Sequence, residues 1–228
     1  SDEELLDTNV GSLISLKDTD VNGNNISFVA TINSAKTKIT VNPVGNFTSG
    51  QTIYAAIGAT VEDFFDNAIS AASATFTVAD NLPPTYVFNP PDTEINVAVS
   101  SNLTITFNEA VRNINDTALT DSNVDSLITL KDTDANGSNI AFNATIDADK
   151  KIITINPTSN FSSEQEVYLA IGATVEDSSD NAITSGSSSF TAVDSNPPDV
   201  EFFPTNSSTG VAVNSDVTIS FSEPIRNT

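Results

Sequence analysis

Apolar and polar residues alternate along most of the chain, and this spacing of two predicts β-strands. In the stretch NLTITFNE, Leu103, Ile105 and Phe107 alternate with threonine and asparagine. Residues 140–146, IAFNATI, show the same alternation, and such runs end at Asn, Asp, Gly, Ser or Pro, which favour turns. The pattern predicts about seven short strands per 114 residues and no long helix, with a short helical turn at 116–122 as the one exception.

The same pattern of residues occurs twice, with an offset of 114 positions. The stretch KDTDVNGNNI at 17–26 answers KDTDANGSNI at 131–140, and IGATVED occurs at 57–63 and again at 171–177. Of the 114 aligned pairs, 61 are identical, without one insertion or deletion. Because self-similarity at a fixed period marks repeated structural units, the sequence predicts a tandem array.

The phase of the repeat predicts where its units begin and end. Proline pairs at 83–84 and 197–198 are candidate linkers, because domain boundaries favour exposed, Pro-rich segments. We therefore expect a C-terminal part of one repeat at 1–81, a complete repeat at 82–195 and an N-terminal part of a third at 196–228. The partial repeats would be completed by neighbours, either flanking covalent sequence or another copy that meets this one head to tail. Left uncovered, they would expose apolar edge strands.

About seven alternating strands in each period predict an all-β chain of tandem immunoglobulin-like β-sandwich repeats of 114 residues. Three stretches of the complete repeat carry a family resemblance: FNPPDTEINVAVSSNLTITFNEAVRN, ITINPTSNFSSEQEVYLAIGATVEDSSDNAI and SFTAVD. They are similar to the bacterial Ig-like domain of the SbsA S-layer type, which has a proline start, an FSEP strand end and a D..GN turn before its last strand. This chain departs from that turn, since DSSDN at 177–181 has aspartate in the glycine position. The change makes the turn more anionic and offers a further cation ligand.

The resemblance implies an extracellular, cell-surface location and a structural or accessory role without catalysis. The composition points the same way, because the chain has no His and no Cys, which removes the commonest general base and the thiol nucleophile. It also lacks a glycine-rich phosphate loop, and its carboxylates fall in repeated turns. We therefore expect a protein that is not an enzyme.

The net charge is −22, from 30 acidic and 8 basic residues. Nucleic-acid binding needs clustered Lys and Arg, so we expect no nucleic-acid partner. An apolar run of about 18 residues is also missing, so the sequence predicts no membrane span in this segment. An acidic surface of this kind keeps a protein soluble or binds cations, and the composition leaves both open.

Two loops match the opening of an EF-hand calcium loop, whose oxygen ligands converge on one cation. They are DTDANG and DTDVNG, with the candidate ligands Asp132, Asp134 and Asn136, and Asp18, Asp20 and Asn22. Neither is an EF-hand, because Asn143 and Val29 replace the bidentate glutamate that ends such a loop, and the flanking runs predict strands. Asp, Asn and Gly also build tight turns, so the loops are either plain turns or calcium sites.

A second group of carboxylates flanks the last strand of each repeat, where neighbouring repeats would meet. It comprises Glu62, Asp63, Asp66 and Asp80, and in the second copy Glu176, Asp177, Asp180 and Asp194. Hard cations take about six to eight oxygen ligands, so carboxylates gathered at a junction would bind calcium and stiffen the array. The alternative is that they stay hydrated and repel one another.

These patterns together predict a structural repeat of an extracellular surface filament, an adhesin stalk or an S-layer-type protein. Its partners would be adjacent repeats of the same protein, with self-association into filaments as a further expectation. The matched sequons at Asn46 and Asn160 are the best candidates for glycosylation, because both fall in a predicted turn. The alternative functions are a ligand- or glycan-binding adhesive module and an accessory domain of a secreted polysaccharide-active enzyme. Varied recognition predicts loops that differ between copies, whereas DTDxNG, IGATVED and DNAI match best.

Overall fold

The computed structural model describes residues 3–227, and nearly all of its regular structure is β. Those residues form seventeen strands and two short 3-10 turns, and they contain no helix that is long and apolar enough to cross a membrane. The chain divides into two compact units. The first contains the residues up to Pro84 with Glu176–Asn181, and the second contains Thr85–Val175 with the residues from Ala182 onward. The predicted all-β class is confirmed, while the predicted repeat boundaries stay predictions.

The seventeen strands of the described residues are numbered in chain order. Before Pro84 they are β1 (Ile14–Asp18), β2 (Phe28–Ile32), β3 (Ile39–Pro43), β4 (Thr52–Ile57) and β5 (Ala72–Thr77). The next ten are β6 (Tyr86–Asn89), β7 (Glu94–Val97), β8 (Leu103–Phe107), β9 (Arg112–Asn113), β10 (Ile128–Asp132), β11 (Phe142–Ile146), β12 (Ile152–Pro157), β13 (Glu166–Ile171), β14 (Val175–Glu176) and β15 (Gly186–Ala192). The last two are β16 (Val200–Phe203) and β17 (Thr218–Phe221).

Two four-stranded sheets pack together in the second unit. One has the order β10-β13-β15-β7 and the other β11-β12-β8-β6. Neighbours are antiparallel except for β7, which runs parallel to β15. The alternating residues that predicted β8, namely Leu103, Ile105 and Phe107, are buried between the sheets. The arrangement is an immunoglobulin-like β-sandwich.

The sandwich core is mainly aliphatic, and it also contains aromatic side chains that pack against each other. Ile105 of β8 and Ile153 of β12 are partners in register, and both are fully buried. Phe161 and Phe190 pack edge to face with their ring centroids 5.5 Å apart. No buried side-chain nitrogen or oxygen of residues 3–227 lacks a hydrogen-bond partner, so burial of the apolar faces is not opposed by unpaired polar atoms.

The first unit repeats these pairings 114 residues earlier. Ile14 of β1 faces Ile57 of β4, as Ile128 of β10 faces Ile171 of β13. Its sheets are β1-β4-β5 and β2-β3. Among the described residues β3 pairs only with β2 and β5 only with β4, so one edge of each strand carries no partner strand.

The last two strands form a hairpin that stands apart from the large sheets. β16 and β17 are antiparallel, with Val200 opposite Phe221. Every residue of both strands is exposed. The hairpin therefore consists of two paired strands whose apolar side chains are exposed.

The helical turn expected at 116–122 is absent there, and a 3-10 turn at Val124–Leu127 follows instead. The Asn123 side chain explains the shift, because its Oδ1 accepts from the Thr120 backbone N–H at 2.8 Å and its Nδ2 donates to the Ala118 carbonyl at 3.0 Å. These bonds hold 118–123 as a turn and bring Val124 into the core.

Replacing Ile105 by alanine should cost about 2–5 kcal/mol of unfolding free energy, because its side chain is fully buried. The equivalent change Ile219→Ala should cost less than about 0.5 kcal/mol in dilute protein, because the same position in β17 is exposed. Urea unfolding followed by circular dichroism measures both. Equal losses in the two variants would contradict the difference in burial.

Candidate functional site

The loop after β10 is closed by its own carboxylates. Asp132 Oδ1 accepts a hydrogen bond from the Ser138 backbone N–H. Asp134 Oδ1 accepts one of 2.7 Å from the Asn136 backbone N–H. These bonds satisfy backbone donors within the loop, so its shape is held by contacts between side chains and the local backbone.

The loop after β1 has the same hydrogen bonds. Asp18 Oδ1 accepts from the Asn24 N–H at 2.5 Å, and Asp20 Oδ1 accepts from the Asn22 N–H at 2.7 Å. In both copies the lysine before the loop donates to a loop carbonyl at 2.8 Å. The two loops, which differ only at Val21/Ala135 and Asn24/Ser138, thus form the same hydrogen-bonded turn.

The glycine of each loop is fixed by a close approach of the backbone. A Cβ atom at Gly137 would lie 1.7 Å from the carbonyl oxygen of Asp132, and one at Gly23 would lie 1.6 Å from that of Asp18. Only glycine leaves room for this crossing. A tight turn thus accounts for the two aspartates and the glycine of the motif. Calcium binding by the six predicted ligands of the two loops stays a prediction.

The second acidic motif is also a turn built around one aspartate. Asp177 Oδ1 accepts from the Ser179 and Asn181 N–H groups at 2.7 and 3.0 Å, and Oδ2 accepts from Asn181 Nδ2 at 2.8 Å. Asp180 has a φ of +67°, and Asp66 in the other copy has +65°. Glycine suits this left-handed region best, and aspartate is one of the few other residues that tolerates the same backbone.

The two copies of this turn differ in burial. Glu62 and Asp63 are exposed, whereas Glu176 and Asp177 are buried, Asp177 with only 1% of its surface accessible. Hydrogen bonds from Asn67 hold the pKa of the Asp63 carboxyl below its usual value.

Within the first unit the buried turn lies beside Asp80. Asn181 Nδ2 donates to the Asp80 carbonyl at 3.2 Å, and carboxylate oxygens of Asp80 and Asp177 lie within 4.8 Å of each other. Carboxylate oxygens of Glu176 and Asp180 are equally close. The structure therefore brings four of the predicted ligands into two pairs.

Asp194 lies beside Glu223 in the second unit. The Ser163 hydroxyl donates to Asp194 Oδ1 at 2.7 Å, and the Asn196 N–H donates to the same atom at 3.0 Å. The Ser163 bond, with help from Asn196, lowers the pKa of Asp194. Partial burial, together with the negative charge of Asp194, raises the pKa of Glu223. When the pair holds a single proton, the two pKa shifts therefore favour its placement on Glu223 rather than on Asp194.

The last strand of the repeat separates the carboxylates that were predicted to form one group. Asp177 precedes β15 and Asp194 follows it, and a strand of this length spans roughly 20 Å. Asp177 meets Asp80, which precedes it by nearly a full period, and Asp194 meets Glu223 of the following segment. The carboxylates thus meet partners from a neighbouring period rather than from their own.

An open depression of about 720 Å³ lies at the Asp132 end of the second unit. It is lined by Asp132, Thr133, Thr191 and residues 162–166, which include two glutamates. The lining is polar and acidic, and Ser163 connects it to Asp194 through the hydrogen bond described above. The DTDANG loop and Asp194 thus share one end of the sandwich.

The sequon residues Asn46 and Asn160 are both exposed, in irregular segments between strands. Their glycosylation stays a prediction. Residues missing from the predicted sites are Asn67, Asn181 and Ser163, which donate to the central aspartates. The available signal was that each of these residues is the same as the residue 114 positions away, as in Asn67 and Asn181. Their role depends on contacts that a single sequence does not show.

Asp132→Ala should lower the unfolding free energy of the second unit by about 1–2 kcal/mol, because it removes an acceptor for a backbone N–H. Asp132→Asn, which keeps the Oδ1 acceptor, should stay within about 0.5 kcal/mol of the unsubstituted protein in calcium-free buffer. Urea midpoints measure both changes, with exposed Asp149→Ala as the control. If Asn is as damaging as Ala, the negative charge matters and the turn interpretation is wrong. A calcium-dependent rise in the midpoint that Asp132→Asn removes would instead support a cation site.

The contact of Asp194 with Glu223 should be strongest at mildly acidic pH. Glu223 has a raised pKa, so its contribution is present at low pH and is lost as pH rises above its ordinary value of 4.5 and through the raised value. Asp194 has a lowered pKa, so its contribution is lost as pH falls below its ordinary value of 3.8. Hydrogen exchange of the Asn196 amide across pH, corrected for intrinsic rates, measures the contact. Glu223→Gln should abolish the loss at higher pH, whereas Glu201→Gln should leave it; a flat profile in the unsubstituted protein would refute the contact.

Residues 80–192 match the family model described as the bacterial Ig-like domain. Domains of this family are generally found in surface or extracellular proteins and are generally non-catalytic. No curated protein matches the chain. The crystal structure of CopC from Methylosinus trichosporium OB3b is similar at 16% sequence identity and a TM-score of 0.34, covering 50% of this chain and 97% of CopC. Likeness at that level carries no argument about function. The family match and the two packed sheets agree: residues 80–192 are similar to the bacterial Ig-like domain in sequence and have an Ig-like fold.

Proposed function

We propose that the chain is a structural segment of an extracellular surface protein, in which Ig-like repeats extend head to tail as a stalk, filament or S-layer-type array. The observation that supports this best is a hydrogen-bonded clasp where the chain leaves the last strand of a repeat. The clasp consists of one serine hydroxyl, one aspartate carboxylate and the backbone N–H of the residue that follows the aspartate.

The clasp has the same atoms in both copies. The Ser49 hydroxyl donates to Asp80 Oδ1 at 2.6 Å and accepts from the Asn81 N–H at 2.7 Å. The equivalent bonds, at 2.7 and 2.8 Å, join Ser163, Asp194 and Ser195. Because the serine belongs to the turn before β4 or β13, the clasp ties the departing chain to the body of its own repeat.

The far end of each linker is tied as well. The Thr85 N–H donates to Asn108 Oδ1 at 2.7 Å, and the Asp199 N–H donates to Ser222 Oγ at 2.9 Å. Between these bonds and the clasps lie the two proline pairs, whose φ angles are fixed by the ring. A linker held at both ends with little backbone freedom suits a module that sets spacing and direction.

The loops favour this role over varied ligand recognition. Both DTDxNG turns direct their carboxylates at their own backbone with the same bonds. A binding module needs side chains that project from its loops and differ with the ligand. Loops whose polar atoms bond to their own backbone suit a domain that is repeated along a chain.

Small-angle scattering on proteins of two and three complete repeats, residues 82–195 joined in tandem, tests the proposal. The maximum dimension should grow in proportion to the number of repeats, because the clasped linkers keep the direction of the chain. Ser163→Ala in every repeat should broaden the distance distribution, whereas the neighbouring Ser162→Ala should leave it unchanged. Compact particles that do not lengthen with repeat number would overturn the proposed function.

The same measurement tests whether calcium stiffens the array. Curves recorded in millimolar calcium and in chelator will differ if the predicted carboxylates bind the cation, with broadening after its removal. If the curves superimpose, the carboxylates act as hydrogen-bond acceptors and as surface charge.

A further inference from the structure

The dipeptide Asn-Gly occurs twice in the sequence, as Asn22-Gly23 and as Asn136-Gly137. Both copies lie in the DTDxNG turns. Asparagine loses its side-chain amide most readily before glycine, because a residue without Cβ leaves its backbone nitrogen open to the preceding side chain. The two turns therefore contain the two dipeptides of this chain that are chemically most prone to deamidation.

Each turn holds the backbone nitrogen that would react. The Gly137 N–H donates to the Asp134 carbonyl at 3.0 Å, and the Gly23 N–H donates to the Asp20 carbonyl at the same distance. Deamidation requires this N–H to lose its hydrogen and its nitrogen to reach the Cγ atom of the preceding asparagine. A hydrogen bond that retains the hydrogen and fixes the direction of the N–H opposes both changes.

A second bond fixes the asparagine itself. The Asn136 N–H donates to Asp134 Oδ1 at 2.7 Å, so Asp134 binds both residues of the dipeptide, one through its side chain and one through its carbonyl. Gly137 also lies against the Asp132 carbonyl, too close for a Cβ atom. The closed turn therefore leaves the backbone of the dipeptide little room to rotate towards the reactive geometry.

The side chains that would be attacked are open to solvent. Asn22 and Asn136 are both exposed. Burial therefore does not shield their amides, and the water that completes the reaction reaches them. Protection comes from the hydrogen bonds of the turn rather than from exclusion of water.

We propose that Asn22 and Asn136 are deamidation sites that the closed turn keeps unreactive and that react when the turn opens. In the open turn the Gly137 nitrogen attacks Asn136 Cγ. The new N–C bond replaces the Cγ–Nδ2 bond, and Nδ2 leaves as ammonia together with the hydrogen of the former N–H. Water then opens the resulting succinimide ring at either carbonyl, which gives aspartate or isoaspartate.

The two products affect the turn differently. Aspartate at position 136 adds a negative charge to a loop that already contains Asp132 and Asp134. Isoaspartate carries the main chain through its former side chain and lengthens it by a carbon atom, which the close crossing of Gly137 and Asp132 does not accommodate. A turn that has formed isoaspartate does not close in its original shape, so a transient local opening becomes permanent.

This inference goes beyond the proposed function and does not depend on it. It concerns the chemistry of two turns, each held by its own hydrogen bonds. Its failure would leave the proposed structural role untouched, because scattering from joined repeats tests that role separately.

Deamidation rates in the 228-residue chain test the protection. The protein is incubated with a chelator in native buffer and in guanidinium chloride that unfolds it, and mass spectrometry of digested peptides follows the two sites separately. Both asparagines should react at least about 10-fold more slowly in native buffer. The chelator ensures that no bound cation accounts for the difference. Equal rates in the two conditions, or no reaction in the unfolded chain, would overturn the proposal.

The two turns also supply a control within one molecule. Asp134→Ala removes the acceptor of the Asn136 N–H and should speed deamidation of Asn136 about 10-fold in native buffer, because one lost hydrogen bond shifts the opening of a turn by that order. Asn22 in the same molecules should keep its rate. Asp20→Ala should give the opposite result, with a faster Asn22 and an unchanged Asn136.

Two further variants separate the hydrogen bond from charge and from general loss of stability. Asp134→Asn keeps an Oδ1 acceptor and should keep the slow rate at Asn136, and Asp149→Ala, at an exposed position of another loop, should change neither rate. Circular dichroism in native buffer shows whether each variant is folded. An unchanged Asn136 rate in folded Asp134→Ala, or equal acceleration of both asparagines in it, would overturn control by the local turn.

Discussion

The whole structure depends on the packing of two β-sheets against each other, face to face. Each strand buries alternate side chains, so a sheet that lacks its opposite face leaves a full row of Ile, Leu, Val and Phe in water. The second unit meets this constraint with two four-stranded sheets and a continuous core. Residues 3–84 and the hairpin of β16 and β17 have the same alternation, yet their rows of apolar side chains remain partly exposed.

Several acidic residues of the chain stabilise its turns. Asp18, Asp63, Asp132 and Asp177 each accept bonds from nearby backbone N–H groups. Their oxygen atoms accept these bonds, so the carboxylates close loops as well as keep the surface hydrated. Asp80 and Asp194 accept bonds from the Ser49 and Ser163 hydroxyls, which hold the chain after β5 and after β15.

Much of this could be foreseen from residue patterns. The alternation in NLTITFNE placed β8, and the matched DTDxNG motifs placed two turns with the same bonds. Other features could not. The 3-10 turn moved to Val124–Leu127 because Asn123 bonds to Ala118 and Thr120, a competition that periodicity does not reveal. The partners of Asp177 and Asp194 were also hidden, because β15 separates the two carboxylates and brings each to a residue about one period away in the chain.

The sequence by itself determined the strands, their turns and the period of 114 residues, because alternation, glycine positions and acidic caps act over a few residues. Only the tertiary structure decided which apolar rows are covered and which carboxylates meet. Identical side chains at Ile105 and Ile219 have different burial because burial depends on the presence of an opposing sheet, which no residue specifies alone. Asp177 is buried and Asp63 is exposed although the two turns have the same hydrogen bonds, so the local motif does not decide burial by itself.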